Sequence, residues 1–209
     1  MPAAAATSRD AHSASEGMMR LLGFLAMAIM LSLTACSRGP RHANVVPSVS
    51  LPADAVQGAG DPLTMAVTNT AAAFGADRPF AGRPADAAIA IAQMEYIVAS
   101  APSDPRFVSA PVGLAPALTR GRHEWRAILG IPVDASAQSV INSLYAAARP
   151  LRSGQRDTAA LLLPTGIFTL GGEMTLQRLS ALPRMPATNE AALAARQALG
   201  QAQSMRPGR

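Results

Sequence analysis

The sequence predicts a small, mainly α-helical domain, and three observations carry that expectation. Nearly half of the 209 residues are apolar (49%) but only 4% are aromatic, so a core must be assembled mostly from Ala, Leu, Ile and Val. Alanine in quantity favours helix, where it loses no side-chain entropy and lets backbones approach closely. Four segments repeat apolar residues at helical spacing, and proline, aspartate or glycine stands at their ends, where such residues start and stop helices.

Asp61-Pro62 reads as a helix start, a capping carboxylate followed by proline at the first helical position. Leu63, Met65, Ala66, Val67 and Ala71 to Phe74 follow before Gly75, which predicts a helix over 62–74. Arg83-Pro84 opens a second run to Ser100, with Ile89, Met94, Ile97 and Val98 at near-helical spacing. Its charges are Asp86 and Glu95, so this helix should be surrounded on most sides. After a proline-broken stretch, Leu114, Leu118, Trp125 and Leu129 mark one face of a third helix ending at Gly130. Ile131 to Asp134 forms a tight connection to a fourth helix, striped by Val140, Ile141, Leu144, Tyr145 and Ala148 and expected to stop at Pro150. So short a link predicts that the third and fourth helices pack as an αα-hairpin.

Residues 159–170 admit two readings, because Leu161 to Leu163 and Ile167-Phe168 are apolar runs split by Pro164-Thr165-Gly166 and fit either a helix end or short β segments. Gly171-Gly172 marks a turn, Met174 to Leu182 a short helix, and Thr188-Asn189-Glu190 the start of an Ala-rich helix reaching Gly200. The helical domain is thereby expected at 61–203, with a disordered basic tail at 204–209. Before it, 36–60 reads as a tether, since from Ser37 on it is rich in Pro, Ser, Gly, Ala and Val without helical period. About 24 flexible residues reach on the order of 25–30 Å.

The most specific signal lies at the N-terminus. Met18-Met19-Arg20 precedes an uncharged run from Leu21 to Ala35, the basic and hydrophobic regions of an export signal. At about 1.5 Å per residue the run reaches roughly 22 Å, short of the ~30 Å hydrocarbon core that a spanning helix must cross. A signal segment is therefore expected at 1–35. Arg9, Asp10 and Glu16 are unusual ahead of such a signal, which leaves open an extended leader or a start at Met18 or Met19.

The run ends in Leu33-Thr34-Ala35-Cys36, and this resembles the lipobox of bacterial lipoproteins. The resemblance implies a diacylglyceryl group on the Cys36 thiol, cleavage between Ala35 and Cys36, and an acylated new amino terminus. Ser37 in place of Asp after the cysteine implies delivery to the outer membrane, facing the periplasm. Each buried methylene contributes about 0.8 kcal/mol, so two or three acyl chains hold a protein stably where one is marginal. Lipid on Cys36 is the one non-protein group expected, with no metal and no other cofactor.

Little else in the sequence suggests chemistry. His123-Glu124 would need a second His at position 127 to form a zinc-protease helix, and that position is Ala127. No nucleophile elbow or phosphate-cradling glycine loop is present. The net charge of +5 comes from arginine alone, and with few aromatics to interleave, nucleic acid is not an expected partner. Arg120, Arg122 and Arg126 cluster on the third helix and are candidates for an exposed patch meeting anionic head groups or an acidic envelope partner. The leading expectation is a non-catalytic binding or assembly partner in the cell envelope. A small-ligand or lipid carrier, which requires a cavity between Ala-rich helices, comes second, and an enzyme of unrecognised type third.

Overall fold

The four helices that the sequence punctuation marked most clearly form at those places, and two short helices, Pro105–Val108 and Arg156–Leu161, join them. The computed structural model describes residues 49–55, 60–75, 80–108 and 110–205, and among these are eight α-helices, one 3-10 turn at Ala53–Ala55, and no strand. Helix α1 spans Pro62–Phe74, α2 Pro84–Ser100, α3 Pro105–Val108 and α4 Leu114–Leu129. Helix α5 spans Ala137–Arg152, α6 Arg156–Leu161, α7 Gly172–Ser180 and α8 Pro186–Ser204. The 159–170 stretch thus takes the helical alternative, as the end of α6 followed by turns that bury Leu163 and Phe168.

The second helix is the hub. Ala87, Ala88, Ile91, Ala92, Met94 and Ile97 of α2 are fully buried, because α1, α4, α5 and α7 all pack on it. Its alanines matter here, since small side chains let several helices approach one axis. Helix α4 crosses α8 with equal intimacy: a Cβ on Gly121 would stand 2.9 Å from Ala191 Cβ and 3.2 Å from the Ala187 carbonyl. Gly130 ends α4 in the left-handed conformation, φ 65°, which glycine adopts without penalty.

Four boundaries depart from the sequence reading. The third and fourth helices do not form each other's main partners: α4 packs chiefly against α8 and α5 against α2. Among consecutive helices, α1 packs extensively with α2 and α5 with α6. Pro150 does not stop α5, which runs on to Arg152. In the last turn the missing N–H costs a single ladder bond, and the Pro150 carbonyl then accepts from Ser153 N and Gln155 N to close the chain. Helix α8 starts before Thr188 and continues past Gly200 to Ser204, so the first residue of the expected tail at 204–209 is helical; 206–209 lie outside the described residues. Part of the expected tether at 36–60 also belongs to the domain. Val49, Leu51 and Ala55 pack against the core, and Gln138 Nε2 donates to the Ser50 carbonyl (3.0 Å) while its Oε1 accepts from Ser50 N (2.8 Å). Burial of those apolar side chains is what fastens the segment.

One ionic clamp fixes the start of α1 to the short helix α3. Asp61 caps α1, accepting from Thr64 N and Thr64 Oγ1, each at 2.7 Å. Its Oδ2 also accepts from Arg106 Nη1, and Arg106 Nη2 donates to Asp104 Oδ2 at 2.7 Å. The Arg106 hydrogen bond, ahead of the Thr64 bonds, holds the Asp61 carboxyl down at about 2 against its ordinary 3.8. Asp104 is lowered for the same first cause. A depressed carboxyl stabilises the fold above its unfolded pKa, and that contribution disappears as pH falls through the folded value. The carboxyl resonance of Asp61 should therefore titrate with a midpoint of about 2, and Arg106→Gln should move it up toward 3.8. An unmoved midpoint would show that the cap alone sets it.

Candidate functional site

Helix α4 carries the three arginines expected to form an exposed patch, and the fold separates them. Arg126 is 2% exposed. Its Nε donates to Glu95 Oε1 (2.7 Å) and its Nη2 to Glu95 Oε2 (2.9 Å). The same guanidinium donates to the carbonyls of Pro132 (2.7 Å), Val133 (3.1 Å) and Ala135 (3.1 Å). It thereby ties α4 both to α2 and to the turn that leads into α5. Arg126 is a structural residue, and its placement in an exposed patch is corrected.

Arg122 lies between the two situations. Its Nε donates to Glu95 Oε2 at 3.2 Å and its Nη2 lies in an ion pair 3.0 Å from the same oxygen, while its side chain keeps 29% of its surface. Arg120 is exposed and pairs with Glu190 across to α8 at 2.6 Å, an open ion pair of the kind that contributes little to stability. The separation follows from helix geometry. At about 100° per residue, 122 and 126 fall beside the stripe of 118, 125 and 129, while 120 points away from it.

Glu95 is the centre of this arrangement. Fully buried on α2, it accepts from Arg126, from Arg122 and from Trp125 Nε1 at 2.8 Å. A buried carboxylate demands such company, since an unpaired one would neutralise or unfold its surroundings. Two guanidiniums share this one carboxylate, which leaves the group with a net single positive charge on its half-exposed member, Arg122. Glu124, the neighbour of Trp125, faces the other way and caps α8 from outside. It accepts from Thr188 N (2.7 Å), Thr188 Oγ1 (2.6 Å) and Ala187 N (3.3 Å). That external cap explains why α8 begins ahead of Thr188. His123, between Arg122 and Glu124 in the chain, is exposed.

Beside Arg122 opens an apolar pocket of about 520 Å³. Val98 and Ala101 at the end of α2, Phe107 and Val108 of α3, the Ala110–Val112 loop, and Leu114, Ala115 and Leu118 of α4 wall it, with Thr119 and Arg122 as its polar members. Among the described residues of that lining, Arg122 is the charged one. Val108 is 76% and Val112 96% exposed at this site, so both offer apolar surface at its mouth. Sequence reasoning missed the pocket because it treated 101–111 as a proline-broken link. The available signal was a pair of valines, Val108 at the end of α3 and Val112 in the loop after it. Arg106, through Asp61 and Asp104, holds the wall that α3 contributes.

No three His, Cys, Asp or Glu side chains among the described residues gather as a metal site, and no helix among them is long and apolar enough to cross a membrane. Ala35 and Cys36, the expected cleavage and lipid-attachment residues, lie outside the described residues. Compared with known proteins, the chain matches no family model, no curated protein and no solved structure.

Proposed function

We propose that this chain is a lipid-anchored protein of the cell envelope, attached through Cys36 and facing the periplasm, whose helical domain acts as a non-catalytic binding module. The observation that carries the binding role is the open apolar pocket of about 520 Å³ between α2, α3 and α4. Pockets of a few hundred Å³, mostly apolar with a few placed polar groups, are the usual form of a small-ligand site. The cavity favours a small-ligand or lipid carrier over an assembly partner, because a concave site suits a guest molecule better than a flat protein surface. The anchor rests on the lipobox resemblance of Leu33 to Cys36.

Cell fractionation tests the anchor. The natural protein should sediment with membranes and resist salt extraction, mass spectrometry should find acylated Cys36 at the mature terminus, and Cys36→Ala should release the protein into the soluble fraction. Unchanged membrane attachment of Cys36→Ala would overturn the anchor. The binding role is tested separately by titrating a neutral apolar probe, hexadecanol, against the full-length Cys36→Ala protein and against the same protein carrying Ala115→Trp. Ala115 is an exposed pocket residue, so an indole there should fill the site without entering the core. Equal uptake by both would remove the pocket as the binding site.

A further inference from the structure

We infer that the pocket beside α4 binds a single-chain fatty acid, its carboxylate on Arg122 and its hydrocarbon chain along Val98, Phe107, Leu114 and Leu118. The inference rests on the proposed binding role of this pocket and adds the chemical class of the guest.

The head group follows from charge. Glu95 is shared by Arg122 and Arg126, so the three side chains carry one positive charge in excess. Arg126 spends its donors on Glu95 and three backbone carbonyls. The excess is therefore expressed at Arg122, which lines the pocket. Nε and Nη2 of Arg122 face Glu95, while among the described residues its Nη1 has no acceptor. A guanidinium edge in an apolar surrounding is matched by an oxyanion, and a charge-assisted pair there is roughly twice as strong as a neutral hydrogen bond. Glu190 is paired one to one with Arg120, while Asp61 and Asp104 share the single Arg106 and so carry one negative charge in excess at the foot of α3; none of these carboxylates pairs with Arg122, whose partner among the described residues is Glu95.

The tail follows from the walls. Apart from Thr119 and Arg122, the described residues of the lining are aliphatic or aromatic, so a second charged or sugar group would find no further partner among them. One guanidinium and a volume of about 520 Å³ suit one chain with one anionic end. The exposed side chains of Val108 and Val112 would be covered by the distal methylenes, which adds apolar burial to the charge pairing.

Binding of palmitate and of hexadecanol to the full-length Cys36→Ala protein, which has no thiol to carry lipid of its own, decides the matter by calorimetry. The expected result is saturable binding of one palmitate, about tenfold or more tighter than hexadecanol. Arg122→Gln should remove that preference. Because Arg122→Gln also unsettles Glu95, Thr119→Glu supplies a second variant: position 119 is exposed, lies one turn before Arg122, and a carboxylate there should repel palmitate about tenfold while sparing hexadecanol, with Thr119→Gln neutral toward both. Hexadecanol and palmitate binding with equal affinity, both blocked by Ala115→Trp, would overturn the head-group assignment and leave the pocket's binding role standing. Binding of neither would overturn both. Attachment to phosphatidylglycerol vesicles without uptake of monomeric palmitate would overturn the inference in favour of a membrane-contact surface.

Discussion

Glu95→Ala is expected to destabilise the domain by about 3–5 kcal/mol, the loss that follows when one partner is taken from a buried ion pair. The substitution leaves Arg126, 2% exposed, with a charge and no counterion, and it orphans Trp125 Nε1, whose acceptor is Glu95 Oε1 at 2.8 Å. Urea unfolding should show the midpoint falling steeply with the slope unchanged, the signature of lost stability in an otherwise intact native state. Glu95→Gln should cost less, because an amide still accepts from the indole while losing the charge. Replacing both partners tests whether attraction or mere satisfaction matters. A buried pair exchanged for apolar residues is often neutral elsewhere, but Arg126 also serves the carbonyls of Pro132, Val133 and Ala135. Glu95→Met with Arg126→Met should therefore recover only part of the loss. Full recovery would show that those carbonyls find other donors.

What the sequence disclosed was local. Asp61-Pro62 and Gly130 set helix ends through their own backbone chemistry, so α1 and the end of α4 were legible without any partner. Long-range consequences were legible only in outline. A helix whose charges were Asp86 and Glu95 was expected to be surrounded, and α2 is, yet nothing local named Arg126, 31 residues on, as the counterion. The three arginines were grouped by proximity in sequence, whereas the angular position of 122 and 126 beside Trp125 and Leu129 already placed them next to the buried stripe. The α4–α5 partnership failed for a related reason: a short link fixes the distance between two ends, while the faces decide which helices pack. The faces of α4 and α5 are satisfied by α8 and α2. The pocket was illegible because its walls come from α2, α3 and α4 together.

Gly172→Ala is expected to cost about 3 kcal/mol, at the upper end for overpacking a closely fitted site. The sequence marked Gly171-Gly172 as a turn, and the two glycines serve different needs. Gly171 sits at φ 79°, a conformation other residues rarely adopt. Gly172 opens α7 where that helix abuts α6, and a Cβ there would stand 2.0 Å from the Ala160 carbonyl oxygen and 2.7 Å from its carbon. Backbone atoms cannot rotate aside as the tip of a side chain can, so α6 and α7 must separate. That movement would draw on the packing of Leu176 and Leu179, both fully buried, and on the Arg156–Glu173 pair at 3.1 Å. Gly166→Ala is the control, because an added Cβ at 166 meets nothing within 4 Å, and an unhindered surface substitution should stay within about 0.5 kcal/mol of the natural protein. Thermal unfolding of the two variants side by side reads the difference. A Gly172→Ala protein as stable as Gly166→Ala would mean that α6 and α7 are not held in contact, and would locate the anchoring of α7 in its packing on α2 instead.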